Sequence, residues 1–258
     1  MDDRELRRLT AEVCAPGAAE AFGAYIFGTD EPGAELGRHL ERVVFLEAFG
    51  NTLDDLAREY GPYEATSLFI VVVDHVRQLP AGVIRVVQPS PVGLKSLNDL
   101  ESLWGENAED AMRRTGLDFG PEKIWDVATL GVPLEYRDRA ARGLVSMGLY
   151  QTLQLAARAS GIDLLVMILD MPVFRMLRWK MHMIFAGYRD VGPKPYLGSP
   201  ESIPAWCDLL YLDRHLSAVD PALHGILCKG IGLEQALRLA DLSLVTRTSA
   251  RGGLAAAG

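Results

Sequence analysis

The sequence predicts an α/β fold in which a mixed, twisted sheet is flanked by helices, with additional helices at the N- and C-terminal ends. Three observations carry this. The run Leu68-Phe-Ile-Val-Val-Val73 is continuous, β-branched and short, as in a strand covered on both faces. A second apolar run, 82–88, follows the turn-forming stretch 74–80, which is the pattern of a hairpin. Further along, the extended segment 123–132 is joined by a long amphipathic stretch to another short apolar run, 163–169. Strand, helix and strand in that order require a parallel pair with a right-handed crossover.

Taken in order, residues 2–13 and 35–49 place apolar side chains at helical spacing, with Leu36, Leu40, Val43 and Val44 outlining the second stripe, so the first 60 residues are expected to be mainly helical. The central strand 67–73 and its partner 82–88 follow, the latter interrupted by Arg85. Leu97, Leu100 and Leu103, then 108–112, have helical spacing. After the strand 123–132, the stretch 139–160 presents Leu144, Val145, Gly148, Leu149, Thr152, Leu155 and Ala156 as one broad stripe and stops at Gly161, a suitable C-cap. Pro172 opens a methionine-rich helix reaching 184, and a strand at 206–212 with helices starting at Arg214 and Leu233 completes the expected elements. The segment 196–204 reads as a turn-rich loop able to close over a site. One domain is expected over 1–248, with a helical part to 60, a sheet core over 63–213 and helices over 214–248. The small residues of 249–258 are expected to form a disordered tail.

Composition narrows the function classes. With 49% hydrophobic residues the chain can bury a sizeable core, and 26 basic against 34 acidic residues leave no general nucleic-acid footprint. Cys14, Cys207 and Cys228 are widely spaced and odd in number, which fits neither a disulfide framework nor a zinc site and implies a reduced, cytoplasmic setting. The five histidines lack ligand spacing, so no metal is expected. The longest apolar runs are too short to span a bilayer. A hydrolase is disfavoured because no Gly-x-Ser-x-Gly elbow is present.

Against this acidic background, Arg137, Arg139 and Arg142 cluster before Gly143, between a strand and the start of a long helix. A helix N-terminus is locally positive, so cations gathered there are costly unless an anion arrives. Strand, basic turn and helix start together suggest a phosphate-binding corner, suited to the pyrophosphate of coenzyme A or to a carrier protein's phosphopantetheine.

Four segments carry a family resemblance. Tyr63-Glu64 stands before the strand ending in Asp74. Gly82-Val-Ile-Arg85 leads to Pro89, Leu97-Asn-Asp99-Leu follows, and Ile124-Trp125-Asp126-Val-Ala-Thr-Leu-Gly-Val132 comes last. In that order they resemble the GNAT superfamily of acyltransferases, and within it the acyl-homoserine-lactone synthases and N-acyl amino acid synthases. The chain departs from them in two places: Thr129-Leu130 stands where the synthases carry an arginine, and 137–143 lacks the glycine-rich GNAT turn.

The resemblance implies transfer of an acyl group from acyl-coenzyme A, or from the acyl-phosphopantetheine of an acyl carrier protein, to the amine of a small molecule such as an amino acid. It implies that the pantetheine arm lies between splayed strands at Leu130 and Val132, with Arg137, Arg139, Arg142 and Gly143 at the donor phosphates or the carrier. Arg85 and Glu64 would contact the acceptor, and Asp126 would act as base or orient the amine. A second reading of Asp126 stays open, a buried ion pair with Arg85 and no chemistry. Met167, Met171, Met176, Met181 and Met183 suit either a core or an adaptable acyl tunnel. The alternative function is a non-catalytic protein of the same fold that binds an acyl thioester or lipid, or serves as a subunit of a biosynthetic assembly.

Overall fold

The computed structural model describes residues 1–14, 19–137 and 143–246. The chain begins with α1 (Asp3–Val13), β1 (Phe22–Gly28), α2 (Ala34–Phe49) and α3 (Leu53–Tyr60), followed by the hairpin strands β2 (Ser67–Asp74) and β3 (Leu79–Val87). Helices α4 (Lys95–Trp104) and α5 (Ala108–Thr115) precede β4 (Ile124–Gly131), α6 (Leu144–Ala159), β5 (Leu164–Asp170) and α7 (Met171–Lys180). The last part contains β6 (Ala186–Gly187), β7 (Lys194–Tyr196), β8 (Ser199–Asp208), α8 (Leu209–Val219), α9 (Pro221–Lys229) and β9 (Leu237–Arg238).

The strands form one mixed sheet in the order β6-β8-β5-β4-β3-β2-β1-β9, with β7 added to β8. As the crossover argument requires, β4 and β5 are parallel, while β2–β3 and β3–β4 are antiparallel. Every residue of β2 and β3 is buried. The period-two alternation of β2 sends Phe69, Val71 and Val73 toward the α1–α2 layer and Ile70 and Val72 toward α6. Gly37 of α2 makes the first contact possible, because a Cβ there would stand 2.5 Å from the Phe69 ring.

Three expectations change. The first 60 residues are not wholly helical: 22–28 form β1, which pairs with β2 in full antiparallel register from Phe22↔Asp74 to Gly28↔Leu68. Tyr25 and Phe27 pack on the α2 side and Phe22 and Ile26 on the α6 side, a half-buried alternation within a segment too short to break the helical reading around it. The last long strand begins at Ser199 rather than near Trp206, and a helix starts already at Leu209 behind the Asp208 cap. The expected loop 196–204 is therefore mostly hairpin. The helix expected from Leu233 gives way to a turn and β9, which adds to the edge of β1. Residues 249–258 lie outside the described part. Among the described residues no helix is long and apolar enough to cross a membrane.

Candidate functional site

The site is made by a break in the sheet. β4 and β5 pair only at Ile124↔Leu164, Trp125↔Leu165 and Asp126↔Val166, although β4 continues to Gly131 and β5 to Asp170. Beyond Asp126 the two parallel strands part, leaving polar backbone on the β5-facing edge of β4 without a strand partner. β4 also carries a bulge: Val86 pairs with Val127 and Arg85 with Thr129, so Ala128 is the extra residue. The bulge puts Ala128 and Thr129 together on the α2 side of the split.

A cleft of about 110 Å³ enters the split from that side, lined by Phe45, Phe49, Tyr60, Ala128, Thr129, Asp170 and Tyr196 among others. The Tyr60 hydroxyl donates to the bulge carbonyl of Ala128 at 3.3 Å. Asp170, at the end of β5, accepts a hydrogen bond from Ser199 Oγ at 2.6 Å. The β7–β8 hairpin covers the cleft through a two-residue loop, Leu197 and Gly198, both with positive φ (44° and 84°), as primed hairpin turns require. A Cβ on Gly198 would lie 2.3 Å from the Phe49 carbonyl, so only glycine lets the tip seat against the end of α2.

Two buried charge networks form the walls. Arg85, 3% exposed, donates from Nε and Nη2 to the two oxygens of Glu41 at 2.8 and 2.6 Å, and from Nη1 to Glu64 at 2.7 Å. Arg38 closes Glu64 from the other side, and Thr129 Oγ1 donates to Glu41 at 2.7 Å. The Arg85 guanidinium also lies 4.5 Å from the Phe69 ring centre and 4.9 Å from that of Tyr60. Burial works against its charge, but Glu41 and then Glu64 outweigh that and hold it firmly cationic. In the second network Lys95 Nζ, also buried, meets Asp99 at 2.6 Å, Tyr196 OH at 2.7 Å and Glu59 at 3.0 Å. Tyr196 OH donates to Asp99 at 2.6 Å, tying the hairpin to α4.

The structure thus brings Arg85 and Glu64 into direct contact with each other. The ion pair expected between Asp126 and Arg85 is not formed, because the Arg85 guanidinium is committed to Glu41 and Glu64. Asp126 is completely buried and instead accepts from Ser96 N at 2.5 Å and Ser96 Oγ at 2.7 Å. It caps the first turn of α4 from a neighbouring strand. Burial, partly opposed by these bonds, pushes its carboxyl up to about 6. Asp126 is not among the residues that line the cleft, although its neighbours Val127 and Ala128 are.

Of the residues expected at the donor, Leu130 lies near the end of β4 and Val132 just beyond it. Arg137 is exposed, and its Nε donates to the Val132 carbonyl at 2.6 Å. Gly143 takes φ 72° and starts α6 with no side-chain cap, leaving the first-turn amides without one. Because α6 starts at Leu144, no arginine sits in its first turn; Arg139 and Arg142 lie outside the described residues. Sequence reasoning missed Glu41, Lys95 and Asp170. Glu41 sits on an apolar helical stripe beside Leu40 and Val44, a local signal that such a residue has a buried partner. The histidines also need one addition: Asp213, His224 and Cys228 place candidate ligand atoms within 4.8 Å of one another, although Arg158 donates to Asp213 at 2.9 Å and already neutralises it.

The sequence matches no family model and no curated protein. Solved structures do match. The coenzyme A-dependent acyl-homoserine lactone synthase BjaI, with SAM and isopentyl-CoA, aligns with a TM-score of 0.57 at 13% identity, over 91% of this chain and 99% of that chain. FeeM, an N-acyl amino acid synthase from uncultured soil microbes, aligns at 0.51 and 14% identity over 75% and 94%. The acyl-homoserine lactone synthase LasI aligns at 0.51 and 12% over 74% and 91%. At such identities the likeness shows the fold alone, a mixed sheet flanked by helices that agrees with the fold expected from the four ordered segments.

Proposed function

We propose that this protein transfers an acyl group from a pantetheine thioester, of coenzyme A or of an acyl carrier protein, to the amine of a small molecule such as an amino acid. The observation that carries this reading is the parting of β4 and β5 after Asp126↔Val166. A pantetheine arm is an extended chain of amides, and a strand edge without a partner is the surface that pairs with one. Laid along Leu130 to Val132, the arm directs its phosphates toward Arg137 and the α6 amides after Gly143; Arg139 and Arg142, outside the described residues, stay donor contacts on the sequence alone. Its thioester then reaches the bulge at Ala128, with the acyl group on the α6 side and the amine entering from the α2 side.

Within that frame, Asp170 is the carboxylate lining the cleft and the group placed to take the ammonium proton, directly or through a water. Asp126 supports the site by holding α4, and Arg85 with Glu64 sets the floor beneath Tyr60. The test is turnover of acyl-coenzyme A and acyl carrier protein donors with a panel of amines, read by mass, together with thermal stabilisation by coenzyme A in wild type and Arg142→Glu. Product formation and a thermal shift lost in the variant are expected; no shift and no product with any donor would overturn the reading. A non-catalytic acyl-thioester binder is favoured by one observation, the engagement of the Asp170 carboxylate by Ser199 Oγ at 2.6 Å. Donor binding without turnover on any amine would establish it instead.

A further inference from the structure

The cleft on the α2 side of the split has a one-sided charge lining. Among the described residues that line it, Asp170 is the one charged side chain, and none is an arginine, lysine or histidine. The buried cations next to its walls are already held. Arg85, 4.9 Å from the Tyr60 ring centre, is paired with Glu41 and Glu64, and Lys95, 5.4 Å from the same ring, with Asp99 and Glu59. Neutral donors are committed as well. The hydroxyls of Tyr60, Thr129, Tyr196 and Ser199 donate to the Ala128 carbonyl, Glu41, Asp99 and Asp170, and Ser202 is the one lining hydroxyl outside this set. Ser199 takes Oδ1 of Asp170, which leaves Oδ2 to a ligand. Beside this acid lies an aromatic wall: Phe45 and Phe49 are half-buried with ring centres 5.9 Å apart, and Phe45 stands at the same distance from Tyr60.

Such a lining selects by charge. A primary ammonium finds its counter-ion in Asp170, and an aromatic or branched apolar body finds Phe45, Phe49 and Tyr60, whose ring faces also favour a nearby cation. An α-amino acid adds a carboxylate on the carbon next to the nitrogen. With the ammonium at Asp170, that second carboxylate stands close to a like charge, loses water in the cleft and meets no cation there. It could reach Arg85 or Lys95 only by displacing an internal carboxylate, which would then be left buried without its partner.

We propose that the acceptor is a primary amine with an aromatic or branched apolar body and no carboxylate, the decarboxylated counterpart of an amino acid. This inference rests on the acyl-transfer reading above and narrows its acceptor. In the reaction the nitrogen bonds to the thioester carbonyl carbon as the carbon–sulfur bond breaks, one ammonium proton passing to Asp170 and a second to the leaving thiolate. The test uses the full-length wild type and matched pairs: phenethylamine with phenylalanine, tyramine with tyrosine, and isoamylamine with leucine, together with the methyl ester of each amino acid. Donors are acetyl, butyryl and octanoyl thioesters of coenzyme A and of acyl carrier protein. Each amine is expected to exceed its amino acid in kcat/KM by about 10²-fold, with the ester in between, since it removes the charge and keeps the bulk. Phe45→Ala should raise KM several-fold more for phenethylamine than for propylamine, with kcat little changed. An amino acid used as well as its amine, an ester no better than its acid, or a Phe45→Ala effect equal for the two amines would overturn the inference and leave acyl transfer standing. No product from any amine or amino acid with any of these donors would instead remove the acyl-transfer reading, and this inference with it.

Discussion

Ser96 donates both its backbone N–H and its hydroxyl to the two oxygens of the buried Asp126 carboxylate, at 2.5 and 2.7 Å. Asp126 sits at the last paired position of β4 with β5, and Ser96 sits in the first turn of α4. The bond therefore pins a helix N-terminus at the point where the sheet opens, making Asp126 a fixture of the site's frame.

The Asp126 carboxyl is raised from its ordinary value of about 4 to about 6 by burial. The folded state then holds more protons than the unfolded state in that interval, so this residue's contribution is fully present at low pH and is lost as pH rises through about 6. Denaturant unfolding from pH 4 to 7.5 should show a decline for wild type relative to Asp126→Asn, of the order of 3 kcal/mol at most across the window. Parallel stability curves for the two proteins would refute the assignment.

Arg85 and Glu41 form a pair whose side chains are 4% and 5% exposed. Removing one partner strands a buried charge, so Arg85→Leu should destabilise by about 3–5 kcal/mol. Arg85→Leu combined with Glu41→Leu should recover a large part of that loss in a double-mutant cycle. Additive losses would mean that the two side chains act independently.

Gly198 adopts φ 84°, and its missing Cβ faces the Phe49 carbonyl. Gly198→Ala should therefore unseat the β7–β8 hairpin at a cost of about 1–3 kcal/mol, with amide exchange rising first in β7 and in the hairpin loop. Uniform acceleration across the sheet would show that the hairpin does not move as a separate unit.

Proton transfer separates the two aspartates. Asp170→Asn should lower kcat about 10²–10⁴-fold with donor binding retained, because its carboxylate lines the cleft. Asp126→Asn, keeping an oxygen for Ser96, should cost much less. The reverse ranking would return the base to Asp126.

Arg137 is an exposed cation beside the free end of β4. Arg137→Glu should raise the donor KM several-fold, more at low ionic strength than at high, since surface charges are screened within about 10 Å at 0.1 M salt. An effect independent of salt would point to a structural role through the Val132 carbonyl.

Much of the frame was legible because it is written in local periodicity. The unbroken apolar run of β2, the hairpin to β3 and the parallel β4–α6–β5 unit follow from side-chain alternation and connection rules alone. β1, as long as β5, escaped that reading because it is only half-buried and lacks a continuous apolar run, and β9 because its two residues become a strand only by completing the edge of β1. For the site, local sequence pattern marked the charged residues that interrupt or flank apolar segments: Arg85 in β3, Asp126 in β4 and Glu64 before β2. It could not say how they pair, since a strand pattern specifies the face of a residue but not which helix covers it. Tertiary structure decided that Arg85 takes Glu41 from α2 and that Asp126 takes Ser96 from α4. It also decided that β4 and β5 part after three pairs. Each outcome depends on contacts between segments far apart in the chain, and burial makes the choice decisive, because a charge removed from water must find its partner wherever the packing brings one.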